Sequence, residues 1–221
     1  MSAPEDTRTR KRRLKHETED IHRAILAVTL QWGSLEDEMA QLLTALLSGK
    51  RYAPMGYYIY FSPDNSATRF DIVAAAFRCN VEDLFDQDLA KKITELWASF
   101  FNSLGRGRRA RNNVTHGVVR EVEIGRSKRP GMRLAPSGFD PHRRPAQNNQ
   151  VVGRSAAEVE DAAEKIRELR FWARDFNEFA RWYHTHPDNG AWPKILAALE
   201  RHRRRHDDQT SDAPTLPKPS D

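Results

Sequence analysis

The apolar residues Ile21, Ile25, Val28, Trp32, Leu35, Met39, Leu42 and Leu46 follow one another at intervals of 4-3-4-3-4-3-4. An α-helix sets all of these side chains on one stripe, because about 3.6 residues complete a turn. A stripe of that length needs a partner surface, so the helix belongs in a bundle. The seam passes Gly33 without a change of phase, which predicts one helix from about 15 to 48 with Gly49 as its stop. Gly33 costs that helix about 1 kcal/mol relative to Ala, which a seam of this length absorbs.

A second seam stands near the other end. Val159, Ala162, Ile166, Leu169, Ala173, Phe176, Ala180 and Tyr183 alternate strictly by 3 and 4, and Trp172 and Phe179 widen the stripe. Ser155 followed by Glu158 is a capping box, which fixes where this helix begins. Between the seams, helices are predicted over 67–79 (Phe70, Val73, Phe77) and roughly 86–104 (Leu89, Ile93, Leu96, Phe100). "GRGRR" is expected to loosen or break the second of these before a short segment at 108–116. The period then changes. "VVREVEI" alternates as a strand does, and "GMRLAP" pairs back on it as a hairpin at about 117–135. Residues 50–66 and 136–150 read as connections, and Pro193 opens a short last helix ending at "RHRRRH". The fold class is all-α: an antiparallel helical bundle with a small hairpin inserted before the last long helix. It covers 14–206 as one domain, between a disordered basic N-terminus (1–13) and a disordered tail (207–221).

The composition suits such a domain, with 221 residues of which 38% are hydrophobic and 30% charged. No run of about 18 apolar residues occurs, so no membrane partner is expected, and "MSAPEDTRTRKRRLK" lacks the apolar core of a secretory signal. The single cysteine, Cys79, has no internal disulfide partner, and its apolar neighbours predict a buried residue. The expected compartment is cytoplasmic. The net charge of +5 is uneven, for residues 101–144 hold eleven Lys or Arg against three acids. Concentrated positive charge is the footprint expected for a phosphate backbone, although a solvated charged face has the same composition.

Inside that segment lies "RARNNVTHG", with Arg111 five residues before His116. The bare spacing carries little. The chain has 27 Arg and 8 His, and three pairs at this spacing occur where about one is expected by chance. An Asn directly after the Arg is more selective, and only Arg111-Asn112 has it. The chemistry is coherent. Cleavage of RNA by its own 2′-hydroxyl needs one group to take that proton and another to protonate the leaving 5′-oxygen, and histidine serves in either role. A guanidinium forks onto the charged oxygens of the phosphorane. Asn112 and His116 share a helix face, whereas Arg111 lies about 140° round the helix from His116. Arg106, Arg108, Arg109 and Arg120 are candidate RNA phosphate contacts. Each residue also has a structural reading: His116 as a helix C-cap, Arg111 as a surface or ion-paired arginine, Asn112 as the cap of a turn.

On these residues the chain resembles the HEPN superfamily, all-helical domains of prokaryotic RNase toxins and defence systems. Their motif is Arg, four to six residues, then His, with a polar residue after the Arg. The resemblance spans roughly 15–186, and its specific part is Arg111-Asn112-Asn113-Val114-Thr115-His116. It implies a metal-independent endoribonuclease, a toxin or phage-defence effector, with Arg111, Asn112 and His116 as catalytic residues and no cofactor. It further implies a homodimer whose two motifs face each other across a composite cleft, and an antitoxin or defence-system partner protein. Val118 stands where some members carry a modified Tyr two residues after the His, so the resemblance does not extend to that control. The alternatives are a HEPN-like module that binds RNA or a nucleotide without cutting, and a helical structural or interaction protein. "HTHPD" (His184, His186, Asp188) is not expected to hold a metal, because residues two apart diverge on a helix and Pro187 ends it.

Overall fold

The computed structural model describes residues 6–48, 54–84, 87–124, 129–137, 153–185 and 192–211. Among these the chain is mostly α-helical. In order come α1 (Thr7–Ser48), α2 (Pro54–Phe61), α3 (Ser66–Leu84), α4 (Gln87–Thr115), β1 (Gly117–Ile124), β2 (Arg129–Pro136), α5 (Ala156–Thr185) and α6 (Trp192–Ser211). The two strands form one antiparallel hairpin, with Gly117 opposite Pro136 and Ile124 opposite Arg129. The expected fold class is therefore present, hairpin included. The chain divides into two compact units. One comprises Met1–Ser34 with Arg106–Arg167, the other Leu35–Gly105 with Glu168–Asp221.

Both seams are core. Every seam residue of α1 is buried except Ile25, which is partly so. On α5, Val159, Ile166, Trp172, Ala173 and Phe176 are fully buried. In the second unit an aromatic cluster joins three helices. Phe77 of α3 stacks on Trp97 of α4 at 4.1 Å. Trp97 meets Phe176 of α5 edge-on at 5.1 Å, and Phe100 lies 5.3 Å from Trp172. Numbers rise along α4 as they fall along α5 in these pairs, so the two helices run antiparallel. Such pairs add about 0.5–1.5 kcal/mol each to the area they bury.

In the first unit the hairpin is tied to α1. The Met132 amide donates to Glu17 Oε2 at 2.8 Å. Arg13 pairs with Glu17 at 2.7 Å and donates to the Pro130 carbonyl at 3.1 Å, and Arg10 pairs with Glu121. These contacts correct the boundary expected at the N-terminus. Residues 7–13 are helical, because their arginines have acceptors on the hairpin that composition alone does not reveal.

Other expectations also need correction. "GRGRR" does not break α4, which runs through 105–109 as one helix. Its buried residues keep helical phase across the glycines, from Ile93, Leu96, Phe100 and Leu104 to Gly107 and Val114. Packing of that stripe outweighs about 1 kcal/mol of lost propensity per glycine. The connection at 50–66 contains α2, which opens on Pro54 and buries Tyr60. The last helix continues through 207–211, since no Gly or Pro occurs there to stop it. Cys79 is exposed. It falls between Phe77 and Val81, which are buried, and so points away from the stripe that α3 presents to the core. Tyr183's side chain and residues 1–5 and 212–221 lie outside what is described.

A Cβ at Gly105 would meet nothing within 4 Å. Gly105→Ala should therefore stabilise the protein by about 0.5–1 kcal/mol in chemical denaturation. A loss of stability would mean that α4 bends or breaks at this position in solution.

Candidate active site

His116 follows α4, and its amide donates to the Asn112 carbonyl at 3.0 Å, closing one last helical turn. Gly117 then begins β1. A Cβ here would come within 2.6 Å of Leu134 Cδ1, so glycine lets the chain pass directly from helix into hairpin. The His116 side chain is left exposed at this junction.

The other wall comes from the far edge of β2. The Leu134 amide donates to the Arg154 carbonyl and the Arg154 amide to the Leu134 carbonyl, each at 2.9 Å. With Met132 held by Glu17, the open edge of this two-stranded sheet has its amides engaged. Gly153 makes the approach feasible. It adopts φ 115°, and a Cβ would lie 2.9 Å from Arg133 Cβ and 3.1 Å from the Leu134 carbonyl oxygen. Residues directly opposed in an antiparallel bridge face the same way, so Arg154 shares the side of Leu134 and Pro136.

Between these walls lies a cleft of about 510 Å³, lined by Asn112, Asn113, His116, Leu134, Pro136, Ser137, Gly153 and Arg154. Among the described residues no carboxylate lines it. Asn112 and His116 face it together, as their four-residue spacing requires. Arg111 does not line it. Its guanidinium lies over the ring of buried Trp32 on α1, 5.9 Å from the centroid, and Nη1 donates to Asn112 Oδ1 at 3.1 Å. Its Nε is buried with no hydrogen-bond partner among the described residues. The divergence of Arg111 from His116 follows from the 140° between them. Asn112 links the two sides, touching Arg111 through its side chain while lining the cleft.

The remaining candidates stand elsewhere. Arg106 and Arg109 are exposed on α4 and Arg108 is half-buried there, and none lines the cleft. Arg120 is directly opposite Arg133 in the hairpin, on the face alternate to Leu134. Arg154 and Asn113, which do line the cleft, were not singled out in the sequence. The trace of Arg154 there is its place between Gly153 and the capping box at Ser155. Among the described residues no group of three or more His, Cys, Asp or Glu is placed to hold a metal ion. His186 and Asp188 lie outside those residues, as does the side chain of His184. Among the described residues no helix is long and apolar enough to cross a membrane.

The capping box holds the Arg154 segment at the head of α5. Glu158 Oε2 accepts from the Ser155 amide at 2.7 Å and from its hydroxyl at 2.8 Å, and the Glu158 amide donates back to Ser155 Oγ at 3.3 Å. The Ser155 amide and hydroxyl hold the Glu158 carboxyl below its ordinary value of 4.5, and Arg133 and Arg154 add to the effect. A depressed carboxyl stabilises the fold above its unfolded pKa, and the contribution is lost as pH falls through the folded value. Glu158→Gln should cost about 0.5 kcal/mol at pH 7, modest because the carboxylate is exposed. In thermal unfolding the gap to the unsubstituted protein should close as pH drops below 4.5; a gap unchanged at pH 3 would show that the charge is not involved.

The chain matches no protein-family model, and no curated protein or solved structure is significantly similar to it.

Proposed function

We propose that this protein is a HEPN-type, metal-independent endoribonuclease. The observation that carries the reading is the cleft that Asn112 and His116 line together, within the most basic stretch of the chain. In the reaction, the RNA 2′-oxygen loses its proton and bonds to the adjacent phosphorus. The P–O5′ bond breaks, and a proton passes to the leaving 5′-oxygen. The products are a 2′,3′-cyclic phosphate and a 5′-hydroxyl. His116 handles one of the two protons, and its exposed position gives a substrate access. Asn112 orients the imidazole or a phosphate oxygen. The resemblance assigns Arg111 to the charge that develops on the phosphorane. In one chain Arg111 is directed at Trp32 and Asn112, so a composite site in a homodimer, with two motifs facing each other, would bring that charge to the reaction. The biological setting in this reading is a toxin or phage-defence effector acting with an antitoxin or defence partner. The engagement of Arg111 also favours one second reading, a module that binds RNA without cutting it.

Cleavage of single-stranded RNA should survive EDTA and leave 2′,3′-cyclic ends, and His116→Ala should lower it by about 100-fold or more with folding unchanged. Abolition by EDTA with rescue by a divalent cation would overturn the mechanism. RNA bound tightly but left intact would select the binding module.

Inactive Arg111→Ala and His116→Ala chains, once mixed, should recover part of the activity if sites are shared. Arg111→Ala should also lose about 2 kcal/mol of stability or more, because it removes a cation–π contact and a charge-assisted side-chain hydrogen bond. Full activity in a monomer would rule out the shared site.

RNA affinity should fall steeply as salt rises, since phosphate contacts release counterions. A flat salt dependence measured by fluorescence anisotropy would point away from backbone binding.

A further inference from the structure

We infer that Arg154 is the phosphate anchor of the cleft, acting in the same chain as His116 and gripping a phosphodiester of single-stranded RNA. The inference rests on the nuclease or RNA-binding reading of this cleft and adds a residue that the motif does not contain. Four observations converge on it. Among the described residues Arg154 is the one Lys or Arg lining the cleft, on the wall opposite Asn112 and His116. Its main chain is fixed by the two hydrogen bonds that its own amide and carbonyl make with Leu134, and by the capping box that follows it. Its guanidinium makes no hydrogen bond or ion pair among the described residues, and the nearby Glu158 directs Oε2 at Ser155 instead. Gly153 holds a left-handed conformation that an L side chain rarely adopts, and it packs against Arg133 and Leu134 to seat the next residue at the cleft.

The chemistry selects the ligand. A guanidinium offers parallel N–H donors that match two phosphate oxygens. The cleft adds amide donors from Asn112 and Asn113 and a hydroxyl from Ser137, and among the described residues that line it there is no carboxylate. A phosphodiester held by Arg154 would lie beside His116, the group that moves a proton at that phosphorus. The cleft is partly walled by the apolar Leu134 and Pro136, so the contact is less screened than one from an exposed arginine on α4.

The test uses the full chain, a fluorescein-labelled single-stranded RNA oligonucleotide, a 5′-mononucleotide and inorganic phosphate. The bridge to Leu134 uses only main-chain atoms, so Arg154→Ala and Arg154→Lys should fold as the parent does. Circular dichroism checks this. Arg154→Ala should weaken oligonucleotide binding by about tenfold or more, with Arg154→Lys recovering only part, because hydrogen bonds to charged groups are the strong ones and lysine lacks the fork. Arg23→Ala, which removes an exposed charge on α1, should weaken it far less. Inorganic phosphate should shift the His116 ring resonances in the parent and not in Arg154→Ala. Binding within twofold of the parent together with an unchanged His116 response overturns the inference. Mononucleotide bound as tightly as the oligonucleotide overturns the phosphodiester assignment. Cleavage that needs His116 but not Arg154 sinks this inference and leaves the nuclease reading intact. Arg154-dependent binding without cleavage does the reverse.

Discussion

Two hydrogen bonds between Leu134 and Arg154 hold the candidate site together. They are the only backbone link among the described residues that joins the hairpin to the segment leading into α5. Without them β2 would present unpaired edge amides, and an isolated two-stranded hairpin is marginal in water. The bridge gives the hairpin a third partner segment, sets Arg154 on the cleft side, and leads directly into the Ser155–Glu158 cap. Each net hydrogen bond is worth only about 1 kcal/mol, but an unpaired buried amide or carbonyl costs 1–3 kcal/mol, so the arrangement is favoured over its alternatives by more than its own bonds suggest. Glu17 does the same for Met132 from α1. The edge of one short strand is thus where three parts of the first unit meet.

The helices were legible in the sequence because their information is periodic and local. The seams at 21–46 and 159–180 correspond to buried residues, and the capping box at Ser155 has its expected hydrogen bonds. The errors arose where local chemistry competes with packing. Gly105 and Gly107 read locally as helix breakers, yet the buried stripe of α4 continues through them as the seam of α1 continues through Gly33. The apolar neighbours of Cys79 in sequence suggest burial, but its angle on α3 between Phe77 and Val81 exposes it. Residues 7–13 looked like a basic tail because their acceptors, Glu121 and the Pro130 carbonyl, lie more than a hundred positions away. In the site, Asn112 with His116 and the divergence of Arg111 could be derived from 3.6 residues per turn. Arg154 could not, since its place depends on a long-range bridge and a left-handed glycine.

The position of Arg111 changes how the motif should be weighed. A guanidinium over an indole, with Nη1 on Asn112, is held by two interactions at once, against the cost of an Nε enclosed with no hydrogen-bond partner among the described residues. Moving it into the cleft would break a cation–π contact of about 0.5–2 kcal/mol and a charge-assisted hydrogen bond of about 1.5–3 kcal/mol. A bound phosphate has to exceed that sum before the side chain turns. A residue fixed in this way also fixes Asn112, whose carbonyl oxygen it occupies. With that oxygen engaged, the Asn112 amide group is left as a donor, the polarity that an anion or an imidazole lone pair requires.

Competition for Arg154 is decided by geometry more than by charge. Glu158 and a phosphodiester each carry one negative charge, and at about 4 Å in water-like surroundings either attracts a guanidinium by only about 1 kcal/mol. The difference lies in directed bonds. Glu158 Oε2 already accepts from the Ser155 amide and hydroxyl, so the carboxylate is oriented to the helix end. A phosphate in the cleft is free to present two oxygens to the fork. The same carboxylate partly neutralises Arg154 when the cleft is empty, which lowers the cost of holding a cation near Arg133. Glu158 therefore serves the helix cap and the resting charge balance together. In the proposed reading, its alignment with Ser155 leaves the donors of Arg154 to a phosphate, while its charge offsets part of the positive charge of Arg133 and Arg154.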